Sequence, residues 1–405
     1  MYPPSPSHAA GRLALGLALL AAPALPAVAA GQAPPSVSAP GEIVRPGETI
    51  VLPADTSRAP LPTSVVADAA TGPADSVAVV PTATAAAPMA PVARPAVAAP
   101  ARAAARVMTA EALRAPLRLP VSGGSGARVL HVQVLLAGAG FSPGVLDGAW
   151  AANTRGAVRA FRAAQGLDAG ESVDSVVYER LRAASWDREP VVGYTLTASD
   201  LRGPFGPIPA SSYEKARLAC LCYASIEEKL AERFQTTPGV LRQLNPDVDL
   251  ALATAGTPIT VPNMWRMPPT ASLARIVVDR TTSGLTGFDS TGAPILWFAT
   301  STGGPKTPSP SGVLQVRSVT LDPWYQYNPR VLKTGTGAIA DLPPGPNSPV
   351  GTVWIQLSRA HIGIHGTPDP HRIGRPESNG CVRLTNWDAR FLAGLVRPGV
   401  EVEFR

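Results

Sequence analysis

A run of 138 residues without one aromatic side chain is the feature that most limits what this chain of 405 residues can fold into. No Phe, Trp or Tyr occurs between Tyr2 and Phe141, and alanine and proline together supply more than two-fifths of residues 31–120. A segment of this composition buries too little apolar surface to offset the conformational entropy that folding removes. We therefore predict a disordered, Ala/Pro-rich tether over residues 31–120, with the folded domains after it.

The first thirty residues have the three-part layout of a secretory signal peptide. Arg12 precedes an apolar run over residues 13–25, and the small residues 27–30 follow. The run contains Pro23 and is shorter than the roughly 20 residues that a membrane-spanning helix needs. We predict that residues 1–30 direct export to the periplasm or cell wall, with no integral membrane span after cleavage. An uncleaved anchor is the alternative.

The formal net charge of +6 comes almost wholly from arginine, because the chain has only four lysines. No stretch clusters basic residues with aromatic ones, which argues against a nucleic-acid surface. A moderate positive balance fits an anionic partner such as a cell wall.

The three cysteines are too few for a disulfide-rich scaffold and lack the paired Cys-x-x-Cys motifs of a zinc site. Cys220 and Cys222 would point to nearly opposite sides of a helix, and along a strand they would share one face with poor geometry for bonding. We therefore predict that these two cysteines do not bond to each other and serve in packing. Cys381 is the candidate reactive thiol.

Residues 127–185 carry three short helical patterns, which begin at Arg128, at candidate capping residues 153–154 and near Ser175. The region resembles the three-helix peptidoglycan-binding module of cell-wall enzymes. The motifs that carry the resemblance are Gly140-Phe141, Asp147-Gly148 and Asn153-Thr154. The resemblance implies binding to the wall, and a helical spacer is the alternative.

Residues 190–263 have the pattern of a βααβ unit. A strand is predicted at 194–197, a capping box opens a helix at Ser225, Thr237 caps the next helix, and a strand follows at 259–261. The region resembles a LysM glycan-binding module. Its stretch 201–224, which holds Cys220 and Cys222, is longer than that family expects.

From residue 274 to residue 405 the sequence changes to short apolar strands separated by turns rich in Gly, Pro, Ser and Asn. The strands are predicted at 276–278, 295–298, 313–316 and 353–357. The fold class is thus multidomain α+β, with a small three-helix module, a βααβ LysM-like module and a mostly β domain.

The last domain concentrates the side chains that can perform chemistry. Three of the five histidines and Cys381 fall within 21 positions. A thiol is mostly protonated at neutral pH and needs a basic partner or a positive environment to act as a nucleophile. His365 is the candidate base, and Arg383 supplies a nearby positive charge. Ser378 opens a tight turn in which the amides of Gly380 and Cys381 are candidate donors to a developing oxyanion.

A shared metal is the alternative use of these histidines. On a helix, His361 and His365 would form a zinc-binding pair four residues apart. The intervening residues 362–364 alternate as in a strand, which would separate the two side chains by roughly 13 Å along one face. We therefore predict no metal site.

This block resembles the catalytic domain of the YkuD-type L,D-transpeptidases. The signature of that family is I-H-G-T, then a short loop, then S-x-G-C-[IV]-R, and it stands here at residues 364–367 and 378–383. Ser309 to Gly312 and residues 386–389 also match. Asn379 departs from the histidine that many members have, at a position that is not the base.

The resemblance implies a mechanism. Cys381 would attack the amide between meso-diaminopimelate and the terminal D-alanine of a peptidoglycan stem tetrapeptide, with His365 as base. An amine on a neighbouring stem would then resolve the acyl-enzyme into a 3→3 cross-link. Arg383 and Ser378 would shape the site or bind a substrate carboxylate, and neither a metal nor an organic cofactor is needed.

The sequence leaves the acceptor open. A stem peptide, a lysine of a wall-attached lipoprotein, a free D-amino acid and water all remain, and water would make the protein an L,D-carboxypeptidase. A non-catalytic peptidoglycan-binding anchor is a further alternative, against which the presence of both His365 and Cys381 argues. A papain-like amidase does not fit, because those enzymes place the cysteine before the histidine in the chain.

Overall fold

The computed structural model of the protein describes residues 108–332, 335–376 and 378–405. The predicted signal peptide and most of the predicted tether lie outside this range. No helix among the described residues is both long enough and apolar enough to cross a membrane.

The predicted tether ends too late in the sequence. Residues 110–114 form the short helix α1 (Ala110–Arg114), whose first turn is capped by the hydroxyl of Thr109. Leu113 is fully buried in a cluster that includes Leu130 and Val134. Met108 and Leu113 both pack on apolar surface that later residues supply, which the composition of the segment does not reveal.

The three helices of the first module lie where the sequence predicts them. They are α2 (Ala127–Gly138), α3 (Ala152–Ala164) and α4 (Ser175–Ala184). The predicted cap of the second helix is wrong, because Ala151 occupies the cap position and Asn153 and Thr154 are already helical. The side-chain amide of Asn153 instead donates to the carbonyl oxygen of Ile373 (2.9 Å), which belongs to the last domain.

Residues 190–263 form the predicted βααβ arrangement with one extra short helix. The elements are β2 (Val191–Thr195), α5 (Ser212–Lys215), α6 (Ile226–Arg233), α7 (Pro238–Leu244) and β3 (Pro258–Pro262). Strands β2 and β3 pair antiparallel. Ser225 and Thr237 cap their helices as predicted, each accepting a hydrogen bond from a main-chain amide in the first turn.

The prediction that Cys220 and Cys222 do not bond to each other is wrong. They form a disulfide across one intervening residue. The segment is neither helix nor strand, and its irregular backbone brings the two Cα atoms to 5.2 Å, within the range that a disulfide spans. The prediction considered only regular backbone geometries, in which the two side chains cannot meet well.

The last domain is built on a mixed sheet of nine strands in the order β1-β6-β5-β4-β13-β7-β10-β11-β12. Its own strands are β4 (Arg275–Asp279), β5 (Gly284–Phe288), β6 (Pro294–Ala299), β7 (Gly312–Leu321), β10 (Val353–Leu357), β11 (Gly363–His365), β12 (Val382–Arg383) and β13 (Glu401–Phe404). A separate hairpin joins β8 (Tyr325–Tyr327) to β9 (Ala340–Leu342), and helix α8 (Asn386–Ala393) packs on the sheet.

The edge strand β1 (Phe141–Ser142) comes from the first module. It pairs parallel to β6, with Phe141 beside Trp297. Trp297 is buried in the same apolar cluster as Phe161 of α3, and its ring lies against Gly156, where a Cβ atom would approach it to 2.8 Å. The first module and the nine-stranded sheet therefore share one hydrophobic core.

Candidate active site

Two neighbouring strands bring the segments of the predicted base and nucleophile together. Strands β11 and β12 pair parallel, with His365 beside Arg383. Cys381 directly precedes β12, two residues before Arg383. The pairing thus brings close two segments whose candidate residues are 16 positions apart in the sequence.

The imidazole of His365 is held in one orientation. Its Nδ1 lies 2.7 Å from the carbonyl oxygen of Gly366, and a carbonyl only accepts, so Nδ1 carries the proton and Nε2 is left to receive one. The ring stacks on the indole of Trp354, with centroids 5.4 Å apart. Burial lowers the pKa of His365 to about 4, and the positive charge of Arg383 acts in the same direction. The ring is therefore neutral at neutral pH.

The thiol of Cys381 is half-buried and also neutral at rest. Its Sγ donates to the carbonyl oxygen of His361 (3.4 Å). Burial raises the pKa of Cys381, while the main-chain amide of Gly363 and the charge of Arg383 partly offset that rise. The resting pair is thus a thiol beside a neutral imidazole, not a preformed ion pair.

His361 contributes its backbone, not its ring. Its φ of +61° is uncommon for a residue with a side chain, and the resulting turn leads into β11. The ring is exposed, and the segment is not helical, so no zinc pair forms with His365. Among residues 108–332, 335–376 and 378–405, no group of three or more His, Cys, Asp or Glu side chains is placed to hold a metal ion.

The turn before the nucleophile is fixed by Ser378 and permitted by Gly380. The hydroxyl of Ser378 donates to the carbonyl oxygen of Cys381 (2.5 Å), so it shapes the turn. Gly380 has a φ of +100°, a conformation that favours glycine. Within the described part of the chain, the amides of Gly380 and Cys381 donate no hydrogen bond, which leaves both available as oxyanion donors.

Arg383 links the reacting pair to a neighbouring cavity. Its main chain is tied to Ser301 by two hydrogen bonds, of 2.8 and 3.0 Å. Its side chain lines a cavity of about 230 Å³ together with Ser301, Thr367 and Lys215, the last of which belongs to the βααβ module. Because Arg383 is the cross-strand partner of His365 and Thr367 follows His365 by two residues, the cavity lies beside the end of β11.

Sequence reasoning missed two side chains that hold the site. Trp354 is the direct cross-strand partner of His365, and its indole N–H is fixed by Gln356 (2.8 Å). The side-chain oxygen of Asn386 accepts from the amide of Thr367 (3.1 Å), which fixes the loop after His365. The strand alternation around Trp354 could have suggested the first role, whereas the second depends on the tertiary fold.

Comparison with known proteins agrees with this geometry. Residues 274–403 match the YkuD family, described as "L,D-transpeptidase catalytic domain", and residues 125–181 match a "Putative peptidoglycan binding domain". The chain is 30% identical to the "Putative L,D-transpeptidase YkuD" of Bacillus licheniformis over 175 residues, covering 43% of this chain and 90% of that protein.

Two further likenesses extend over more of the chain. The "Probable L,D-transpeptidase YbiS" of Escherichia coli K12 is 26% identical over 221 residues, or 53% of this chain and 72% of that protein. A crystal structure of the L,D-transpeptidase from Xylanimonas cellulosilytica aligns with 72% of this chain and all of that chain, at 16% identity and a TM-score of 0.32. At that score only the sequence comparisons carry the assignment, and by them the chain belongs to the YkuD family of L,D-transpeptidases.

Proposed function

We propose that the protein is a cell-wall L,D-transpeptidase that acts through a covalent acyl-enzyme on Cys381. The observation that supports the proposal is the parallel pairing of β11, which ends at His365, with β12, which begins directly after Cys381. The donor is the stem tetrapeptide of peptidoglycan, and the bond broken is the amide between its diaminopimelate residue and the terminal D-alanine.

The two half-reactions move one proton back and forth. Nε2 of His365 takes the thiol proton as Sγ bonds to the carbonyl carbon, and returns it to the departing amine as the C–N bond breaks. D-alanine leaves and an acyl-thioester remains. In the second half, an acceptor amine loses a proton to His365 as it attacks, and the thiol is restored.

The neutral resting pair makes proton transfer part of the attack. A base whose pKa is lowered to about 4 and a thiol whose pKa is raised do not form an ion pair on their own. We infer that substrate binding drives the transfer, because the negative charge that forms is then delocalised onto the attacked carbonyl oxygen. The amides of Gly380 and Cys381 would stabilise that oxygen.

The accessory modules suit an enzyme that works on an insoluble polymer. Binding of residues 127–185 to peptidoglycan, and LysM-like binding of residues 190–263 to glycan strands, would raise the local concentration of stem peptides at Cys381. Export by residues 1–30 to the periplasm or cell wall completes the proposal. A wall-attached lipoprotein stays an alternative acceptor.

Product analysis tests the proposal and identifies the acceptor. Purified disaccharide-tetrapeptide is incubated with the protein, and mass spectrometry follows D-alanine release and the new species. Dimers linked between two diaminopimelate residues are the expected product. Tripeptide without dimer would instead establish a carboxypeptidase, and unchanged tetrapeptide, as in a matched Cys381→Ser sample, would overturn the proposal in favour of a binding anchor.

A further inference from the structure

The long stretch of the βααβ module, residues 201–224, is bound to the catalytic domain and is called the module insert below. The ring of Tyr213 packs edge-on against Tyr327 of β8, with centroids 5.8 Å apart, and its hydroxyl donates to the carbonyl oxygen of Ala338 (3.1 Å). Leu221 donates to the carbonyl oxygen of Pro344 (3.0 Å) and accepts from the amide of Asn347 (2.9 Å). The insert is thus fixed on both sides of Lys215.

Lys215 ends helix α5 and reaches the cavity beside the active site. Its side chain is half-buried, and burial lowers its pKa. Its ammonium group has no hydrogen bond or ion pair with any residue in the described ranges. An ammonium group in this setting loses hydration without gaining a partner, so the site favours an anionic ligand.

The other groups around the cavity point to the same ligand chemistry. Arg372 and Arg383 also line the cavity, and Arg372 forms an ion pair with Asp369 at 3.8 Å. Lys215 is the cation of the lining on which an anionic ligand would depend. Of the two hydroxyls in the lining, that of Ser301 already donates to the carbonyl oxygen of Arg372 (3.1 Å), whereas that of Thr367 accepts from the amide of Asp369 (3.2 Å) and can still donate. A volume of about 230 Å³ accommodates a carboxylate with a short aliphatic group.

We propose that Lys215 binds a carboxylate of the donor peptide, so that the module insert forms part of the substrate site. The proposal rests on the function proposed above and adds a specificity-determining residue from outside the catalytic domain. The cavity lies beside the end of β11, because Arg383 is the cross-strand partner of His365 and Thr367 follows His365 by two residues. A stem tetrapeptide carries carboxylates on its diaminopimelate and on its terminal D-alanine, and Lys215 binds one of them.

Peptide binding in a Cys381→Ser background tests the proposal without depending on turnover. The dissociation constant of the tetrapeptide is measured by calorimetry for this protein and for versions that also carry Lys215→Met, Lys215→Arg or Arg217→Met. Arg217 is exposed, lies two residues further along the insert and does not line the cavity, so it is the matched control. Loss of one charge-assisted hydrogen bond predicts binding about ten-fold weaker for Lys215→Met. Lys215→Arg should recover most of it, and Arg217→Met should change nothing.

Peptides with one carboxylate amidated at a time identify the bound group. The Cys381→Ser protein should bind one of these amidated peptides about ten-fold more weakly than the peptide with both carboxylates free. For that peptide, adding Lys215→Met should not weaken binding further. An equal effect of Lys215→Met on every peptide, or no effect beyond that of Arg217→Met, would overturn the proposal. Failure of the wild-type protein to release D-alanine would count against the proposed function alone, because the binding comparison does not require the reaction.

Discussion

The two accessory modules meet the catalytic domain through different chemistry. The first module adds strand β1 to the sheet and places Phe161 in one apolar cluster with Trp297, Ala299 and Ile373. The βααβ module has a separate core, which includes Leu196, Leu230, Leu241 and Ile259. Its contacts with the catalytic domain include hydrogen bonds of Tyr213, Glu228 and Glu232, and the ring contact of Tyr213 with Tyr327.

The hydrogen-bonded interface between the βααβ module and the catalytic domain, called the polar joint below, includes Glu232 of α6. Its carboxylate accepts hydrogen bonds from the side chains of Asn386 (3.0 Å) and Tyr223 (3.1 Å). Asn386 is the residue that also fixes the loop after His365 through Thr367. In the linker between the two regions, Arg266 forms a deeply buried ion pair with Asp388 (2.9 Å).

This difference indicates which of the two interfaces can respond to a change in pH. An apolar core contributes stability in proportion to the area it buries and is insensitive to pH. A half-buried carboxylate responds to protonation, and here it contacts the residue that supports the active-site loop. We therefore expect the first module to determine how stable the assembly is, and the βααβ module to modify the site.

The largest effect is expected from Trp297→Ala, which removes the ring shared by the first module and the sheet. Trp297 is 5% exposed, and truncation of a buried aromatic side chain costs about 3–5 kcal/mol. Because the core is shared, hydrogen exchange should accelerate both in α2–α4 and in β4–β6. Denaturant unfolding measures the loss of free energy.

Trp324→Ala is the matched control, since that ring is 66% exposed. It should change the free energy of unfolding by less than about 0.5 kcal/mol. If Trp297→Ala accelerates exchange in the strands while the helices keep their protection, the two regions do not share a core.

A smaller effect is expected from Glu232→Gln, and it should depend on pH. Burial raises the pKa of Glu232 to about 7 from an ordinary value of 4.5, and the nearby Glu228 adds to this, whereas the donors Asn386 and Tyr223 and the charge of Arg390 oppose it. The folded state therefore binds the proton more tightly, and the stability from Glu232 is lost as pH rises from about 4.5 to 7. The Glu232→Gln variant has no carboxylate at this position, so its stability does not fall in this way.

The free energy of unfolding of Glu232→Gln minus that of the parent should therefore increase over this window, by roughly 2–3 kcal/mol. His131 and His365, whose pKa values burial lowers to about 4, titrate in both proteins and cancel in the difference. A difference that stays constant over this window would mean that Glu232 does not titrate there.

Features with a local cause could be predicted from the sequence. The helix caps at Ser225 and Thr237 depend on one side chain and the next turn, and both are present. The alternation before His365 predicted a strand, and β11 confirms it. The proximity of the segments that carry His365 and Cys381 could be inferred from the motif only once the parallel pairing of β11 and β12 was known.

Features created by distant contacts could not be predicted. The two residues of β1 have no strand pattern of their own and become a strand because β6 lies beside them. The bond between Cys220 and Cys222 depends on an irregular backbone, which residue patterns do not specify. The position of Lys215 beside a cavity could not be predicted. The other residues that line this cavity lie more than 80 positions further along the chain, and nothing in the sequence places residues 201–224 against them.

The central claim is that Cys381 and His365 act as one catalytic unit. It is tested by the rate of D-alanine release from a stem tetrapeptide for four proteins: the parent, Cys381→Ser, His365→Ala and the double variant. A protein with both Cys220→Ala and Cys222→Ala, in which Cys381 is the last remaining cysteine, is the control and should keep the kcat of the parent.

Each single variant is expected to lose at least about 10²-fold in kcat/KM. The double variant should be no slower than Cys381→Ser alone, because residues that act together are strongly non-additive. His365→Ala should regain part of its rate as pH rises, since the thiolate then forms without a base. Full activity in Cys381→Ser, or an equal loss of kcat from removal of Cys220 and Cys222, would contradict the assignment of the nucleophile.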